Sequence, residues 1–124
     1  MKEPIPTQRG IRRAGQGLHI GYRRVSALDQ SALRQLEGVP LDKTFTDNAS
    51  GKDTKRPNLE LLLSFIREGD TLVCHSMDRL ARNLDDLRKI VLDLTQRGVH
   101  VRFVKEHLTF TGEDSPLANL LLSV

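Results

Sequence analysis

The sequence predicts an α/β domain. The expected form is three-layered, with a mostly parallel central sheet of four to five strands flanked by helices, ending in the start of a long C-terminal helix. Three observations carry this reading. Segments of period two alternate with segments whose apolar residues recur three and four apart. Each of the three internal helix patterns stops at a glycine. The 124 residues, 38% apolar and 28% charged, suffice for one hydrophobic core.

The elements follow in order. Leu18, Ile20 and Tyr22 alternate with His19, Gly21 and Arg23, which predicts a first strand ending near Val25. Leu28, Ala32, Leu33 and Leu36 predict a helix closed by Gly38. Residues 43–46 form a short, weakly patterned strand, and Asp47 to Lys55 read as a loop around Gly51. Pro57 opens a helix with one apolar stripe, Leu59, Leu62, Leu63 and Ile66, which Gly69 and Asp70 end. Thr71 to His75 are a buried strand. Asn83 caps a helix carrying Leu84, Leu87, Val91 and Leu94, ended by Gly98. Val99, Val101 and Phe103 form the next strand. Ser115 and Pro116 start a last helix whose stripe, Leu117, Leu120, Leu121 and Val124, is still running at the final residue. A stripe cut without a cap predicts a piece of a longer chain.

Composition excludes several classes. No run of about eighteen apolar residues exists to span a membrane. The N-terminus lacks the apolar core of a signal peptide, and Cys74 stands alone, so the expected setting is a reducing cytoplasm. The four histidines and one cysteine show no zinc-ligand spacing, so no metal site is expected. Net charge is +3, and all of that surplus lies in residues 1–19, with Lys2, Arg9, Arg12 and Arg13 against Glu3. Residues 1–17, rich in Gly, Pro, Arg and Gln, read as a flexible basic arm. The rest of the chain is neutral, so a nucleic-acid partner has to be argued from where the arginines sit.

In open α/β sheets, function gathers beyond the carboxyl ends of the strands. Three polar clusters are predicted there. Arg24, Ser26 and Gln30 follow the first strand, Ser50 and Arg56 the second, and Asp78, Arg79 and Arg82 the third. Arginine forks match pairs of phosphate oxygens, and several aimed at one phosphodiester favour its transition state over its ground state. A serine hydroxyl nearby is a candidate nucleophile, and Asp78 can orient an arginine or handle a proton. No histidine stands in a triad-like arrangement, and neither GxGxxG nor GxxxxGK[ST] is present. Taken singly, each residue has a plainer reading. Ser26 suits a turn or helix cap, Asp78 a cap, Arg79 and Arg82 a solvated face, and Gln30 and Gln35 a helix surface. Only their convergence argues for a site. A flavin site would want aromatic stacking surface, and the chain has four Phe, one Tyr and no Trp.

These residues resemble the catalytic domain of serine site-specific recombinases, the resolvase/invertase family, and transposon resolvases in particular. The segments are Gly21 to Ser26 (GYRRVS), Asp47 to Gly51 (DNASG), Lys55 to Pro57, His75 to Asn83 (HSMDRLARN), Phe103 to Glu106 and Thr111 to Ser115. The resemblance implies that Ser26 is the nucleophile, that Arg24, Arg56, Arg79 and Arg82 with Asp78 are catalytic, and that Gln30, Gln35 and Ser50 support them. It implies attack on DNA through a 5′-phosphoserine intermediate, with neither ATP nor metal nor small-molecule cofactor. The implied partners are double-stranded DNA at a specific recombination site and further copies of the chain, as a homodimer and a synaptic homotetramer. The setting would be bacterial cytoplasm, at the nucleoid. By the same resemblance, 18–112 is the catalytic domain, 113–124 begins a truncated dimerisation helix, and a helix-turn-helix DNA-binding domain is absent from this chain. Arg23 departs from the small or apolar residue usual in the family, and the N-terminal arm is longer. A catalytically silent, recombinase-derived dimerisation or regulatory module is the alternative.

Overall fold

The structure is a computed structural model that describes residues 17–25, 36–48 and 55–111. Within them the chain runs β1 (His19–Val25), β2 (Lys43–Asn48), α1 (Pro57–Phe65), β3 (Thr71–Cys74), α2 (Met77–Leu80), α3 (Leu84–Gln96), β4 (His100–Phe103) and β5 (Leu108–Phe110). The strands make one sheet in the order β2-β1-β3-β4-β5. Strands β1 to β4 are parallel, and β5 folds back antiparallel onto β4. The α/β class and the mostly parallel sheet match the sequence reading. The N-terminal arm, the helix expected over 28–36 up to residue 35, and the C-terminal helix lie outside the described residues.

Strand β3 shows why a parallel sheet forms here. Leu72, Val73 and Cys74 are all buried, the continuous apolar run of a strand covered on both faces. One face joins the main core, where Ile20, Tyr22, Leu72, Cys74, Val101 and Phe103 meet Leu59, Leu62 and Ile66 and the α3 stripe Leu87, Val91 and Leu94. Alternation turns Val73 and Gly21 to the other face. A Cβ at Gly21 would lie 2.6 Å from Leu41 Cδ1 and 3.0 Å from Leu36 Cδ1, so glycine is what lets those leucines close over β1.

Both ends of α3 behave as the sequence predicts. Asn83 accepts from Asp86 N at 2.8 Å and caps α3, the role for which Asp78 was a second candidate. Gly98, at φ +82°, follows the C-cap Arg97 and stops α3 in the left-handed region, whereas α1 ends at Phe65 with an extended Ile66 as its C-cap, before the stop expected at Gly69. Arg97, the C-cap of α3, donates to Leu63 O at 2.9 Å and Ile66 O at 3.0 Å, which satisfies the end of α1 and clamps the two helices side by side.

Three details correct the sequence reading. Strand β2 runs two residues further than expected, so Asp47 and Asn48 belong to it and not to the loop. Its six registered pairs with β1, not its own pattern, make it a strand. Strand β5 goes unnamed in the sequence pattern because three residues are too few to show a period. Leu84 heads the α3 stripe yet is 42% exposed.

Candidate active site

Because β1, β2 and β3 are parallel, their carboxyl ends share one edge of the sheet. That edge receives Arg24 from β1, Arg56 from the approach to α1, and Asp78 and Arg79 from α2, with Arg82 leading into α3. The predicted arginines do converge. Arg24 Nη2 donates to Asp78 O at 2.9 Å, and Arg79 Nη1 returns to Arg24 O at 3.5 Å. Arg56 Nη1 donates to Leu80 O at 2.8 Å, and its Nη2 pairs with Asp86 Oδ2 at 3.0 Å. Arg82 reaches the same oxygen through its backbone N at 3.1 Å and its Nε at 3.9 Å. The single turn α2 thus anchors Arg24 and Arg56 through its carbonyls, carries Arg79 itself and is followed by Arg82. Ser26, Gln30, Gln35 and Ser50 lie outside the described residues.

Asp78 lies in the first turn of α2. The Ser76 hydroxyl donates to its Oδ1. That bond holds the Asp78 carboxyl below the usual carboxylate range. Partial burial opposes the shift, and the Arg79 charge adds to it. Asp78 is thus an anion at neutral pH, suited to orienting cations rather than to donating a proton.

Arg23, the departure from the family pattern, turns the other way. Its Nε and Nη2 donate to Thr46 Oγ1 at 3.2 and 3.1 Å across the β1–β2 pair. Neighbouring residues on a strand face opposite sides, so the added charge is kept off the Arg24 side.

Two supporting carboxylates escaped the sequence reading. Asp47, only 3% exposed, accepts from Asn58 N and Leu59 N at 2.9 Å each and from the Tyr22 hydroxyl at 2.7 Å. It does for α1 what the N-cap Arg56, which makes no side-chain cap bond, does not. Burial, then the Asp47 bond and charge, push the Tyr22 phenol above its ordinary range. Asp86 is the second, shared by Arg56 and Arg82. Its signal was an acid in the first turn after Asn83, which reads as helix-dipole decoration until the fold brings Arg56 to it.

The family model described as Resolvase, N terminal domain, matches residues 19–124. The chain belongs to this resolvase family. It is 72% identical over 108 residues to the Transposon Tn21 resolvase of Escherichia coli, covering 87% of this chain and 58% of the relative. It is 70% identical over 109 residues to the Transposon Tn501 resolvase of Pseudomonas aeruginosa, covering 88% and 59%. The Transposon Tn552 resolvase of Staphylococcus aureus is more distant, at 40% over 101 residues, with 79% and 51% covered. The chain thus spans less than two thirds of the length of these curated relatives. The crystal structure of a resolvase family site-specific recombinase from Streptococcus pneumoniae shares the fold, with a TM-score of 0.67 at 15% identity over 86% of this chain and 84% of that one.

Among the described residues of this resolvase-family chain, no His, Cys, Asp and Glu cluster is arranged to hold a metal ion. No helix there is long and apolar enough to cross a membrane. Cys74 is fully buried, and burial raises its thiol well above the ordinary range, which makes it a core residue and a poor nucleophile.

Proposed function

We propose that this chain is the catalytic part of a site-specific DNA recombinase of the resolvase type, acting in transposon cointegrate resolution. The observation that supports it best is the gathering of Arg24, Arg56, Arg79 and Arg82 at the carboxyl edge of the sheet, in a chain 72% identical over 108 residues to a transposon resolvase. Ser26 follows directly on Val25, the last residue of β1. Its Oγ attacks a DNA phosphorus. The Oγ–P bond forms as the P–O3′ bond breaks, and the electron pair leaves on the 3′ oxygen, which takes up a proton. The serine proton is lost in the same step. The product is a 5′-phosphoserine link beside a 3′-hydroxyl, and attack by a 3′-hydroxyl reverses it.

The arginines supply the positive field that the equatorial oxygens need as charge gathers on them. Asp78 orients the cluster, and Gln30, Gln35 and Ser50 support it. Residues 18–112 form the catalytic domain and 113–124 begin a dimerisation helix, behind a basic arm of residues 1–17. A helix-turn-helix domain beyond Val124 would provide most of the DNA affinity, which fits the balanced charge of the body. The partners are double-stranded DNA at a specific recombination site and other copies of the chain, a homodimer and a synaptic homotetramer. The setting is the bacterial cytoplasm, at the nucleoid.

The test is a covalent trap. The chain, extended past Val124 from its own coding sequence, is incubated with nicked recombination-site DNA and run on a denaturing gel. A shifted band is expected, and it should vanish in Ser26→Ala while site binding is kept. Binding without adduct in the unaltered protein would favour the silent regulatory module instead.

A further inference from the structure

We propose that Asp86 is a positioning residue that sets the Arg56 guanidinium for the phosphoryl step; this rests on the recombinase reading above. The argument starts from an asymmetry. One carboxylate oxygen, Asp86 Oδ2, serves two arginines that arrive on different elements. Arg56 lies 3.0 Å away, with side chains 14% and 17% exposed. Arg82 Nε lies 3.9 Å away, on a side chain 50% exposed. The first pair is largely desolvated and close. The second is a loose, wet contact of little energetic weight.

Asp86 is itself fixed, because its backbone N–H is bound by the Asn83 cap. Arg56 has a second anchor in Leu80 O at 2.8 Å. A guanidinium carries five N–H donors, so two anchors fix its plane without consuming the fork. Arg56 is thus held as a preset donor, while Arg82 can swing to a phosphate at little cost. The competing role for Asp86 is a plain counter-ion that weakens the field on the DNA. The two roles differ in sign. Removing a counter-ion raises cleavage or tightens binding, whereas removing a positioning group slows cleavage and leaves binding alone.

The test uses the full-length protein with nicked site DNA in single turnover. Asp86→Asn keeps an oxygen acceptor and the helix start, and is expected to slow adduct formation roughly 10-fold. Asp86→Ala should approach about 10²-fold, the scale of losing one transition-state donor. DNA affinity should stay within about twofold, and the urea midpoint of Asp86→Asn should confirm an intact fold; Asp86→Asn decides if Asp86→Ala does not fold. A merely structural role is separated by a cycle with Arg56→Lys. Adding Asp86→Asn to that variant should cost less than about twofold more, because the two act as one unit. A full multiplicative effect, or cleavage by Asp86→Asn as fast as or faster than the parent, would overturn the inference while leaving the recombinase reading intact. No adduct from the unaltered protein would overturn both.

Discussion

Asp47→Ala is the perturbation with the largest consequence the structure permits us to calculate. The carboxylate is 3% exposed and accepts from three donors: the Tyr22 hydroxyl and two backbone N–H groups opening α1. Hydrogen bonds to a charged group are each worth about 1.5–3 kcal/mol net. They do not add fully, because water can reach part of an opened helix end. The expected loss is therefore about 3–5 kcal/mol, less than the full sum of the three bonds because the burial cost of the carboxylate is relieved with them. That is a large share of the roughly 5–15 kcal/mol that holds a domain together. Tyr22→Phe is the internal control, since it removes one donor and leaves Asp47 its two helix partners, at about 1.5–3 kcal/mol. Urea unfolding of the chain, followed by far-UV circular dichroism, measures both. If Asp47→Ala lost less than about 1 kcal/mol at an unchanged m value, the buried network would not be holding α1. The consequence reaches the site, because Arg56 is the N-cap residue of that helix.

Other outcomes follow from the same geometry. Arg79→Ala and Arg82→Ala in the extended protein should each slow adduct formation by at least about 10²-fold, read in the covalent trap; unchanged rates would return them to the role of surface charges. Asp78 has a folded pKa below its unfolded value, so its contribution to stability is present above about pH 3.9 and fades as pH falls through the lower folded value. Asp78→Asn should therefore show a flatter fall of the urea midpoint on the acid side than the parent, and parallel curves would refute the shift. Asn83→Ala removes the cap on Asp86 N and should cost about 1 kcal/mol in the same unfolding assay.

How much was legible in the sequence depended on whether a signal was local. The Asn83 cap, the Leu87, Val91 and Leu94 stripe and Gly98 sit within one stretch of chain, and α3 forms where they predict. Strand β2 was only half legible. It is an edge strand, and Phe45 and Thr46 are half-buried, so Lys43 to Asn48 carry no clean alternation. What makes it a strand is its pairing with β1, in a register from Ile20↔Lys43 to Val25↔Asn48 that is distant in sequence. Asp47 is the sharpest case. Beside Asn48 and Gly51 it reads as a loop acid, and nothing nearby announces the Tyr22 hydroxyl that buries it. For the site, the arginines were legible as a set because the order of elements places them on one edge. Their anchors were not, since Leu80 O and Asp78 O are backbone atoms that carry no sequence mark.

Those anchors explain why the site uses arginine. A helix leaves its last four carbonyls without partners inside it. In α2, four residues long and followed by extended backbone at Ala81, that shortage covers nearly the whole element. Asp78 O and Leu80 O are consequently open to Arg24 and Arg56. A longer helix at this point would have spent the same carbonyls on its own next turn, and both guanidinium groups would have lost a fixed point. The brevity of α2 is therefore what leaves both arginines a fixed point. A lysine at position 24 or 56 would bring the same charge. It has no planar fork with which to hold a carbonyl along one edge and present donors along another. What the rim selects is a cation that can be anchored and still reach outward.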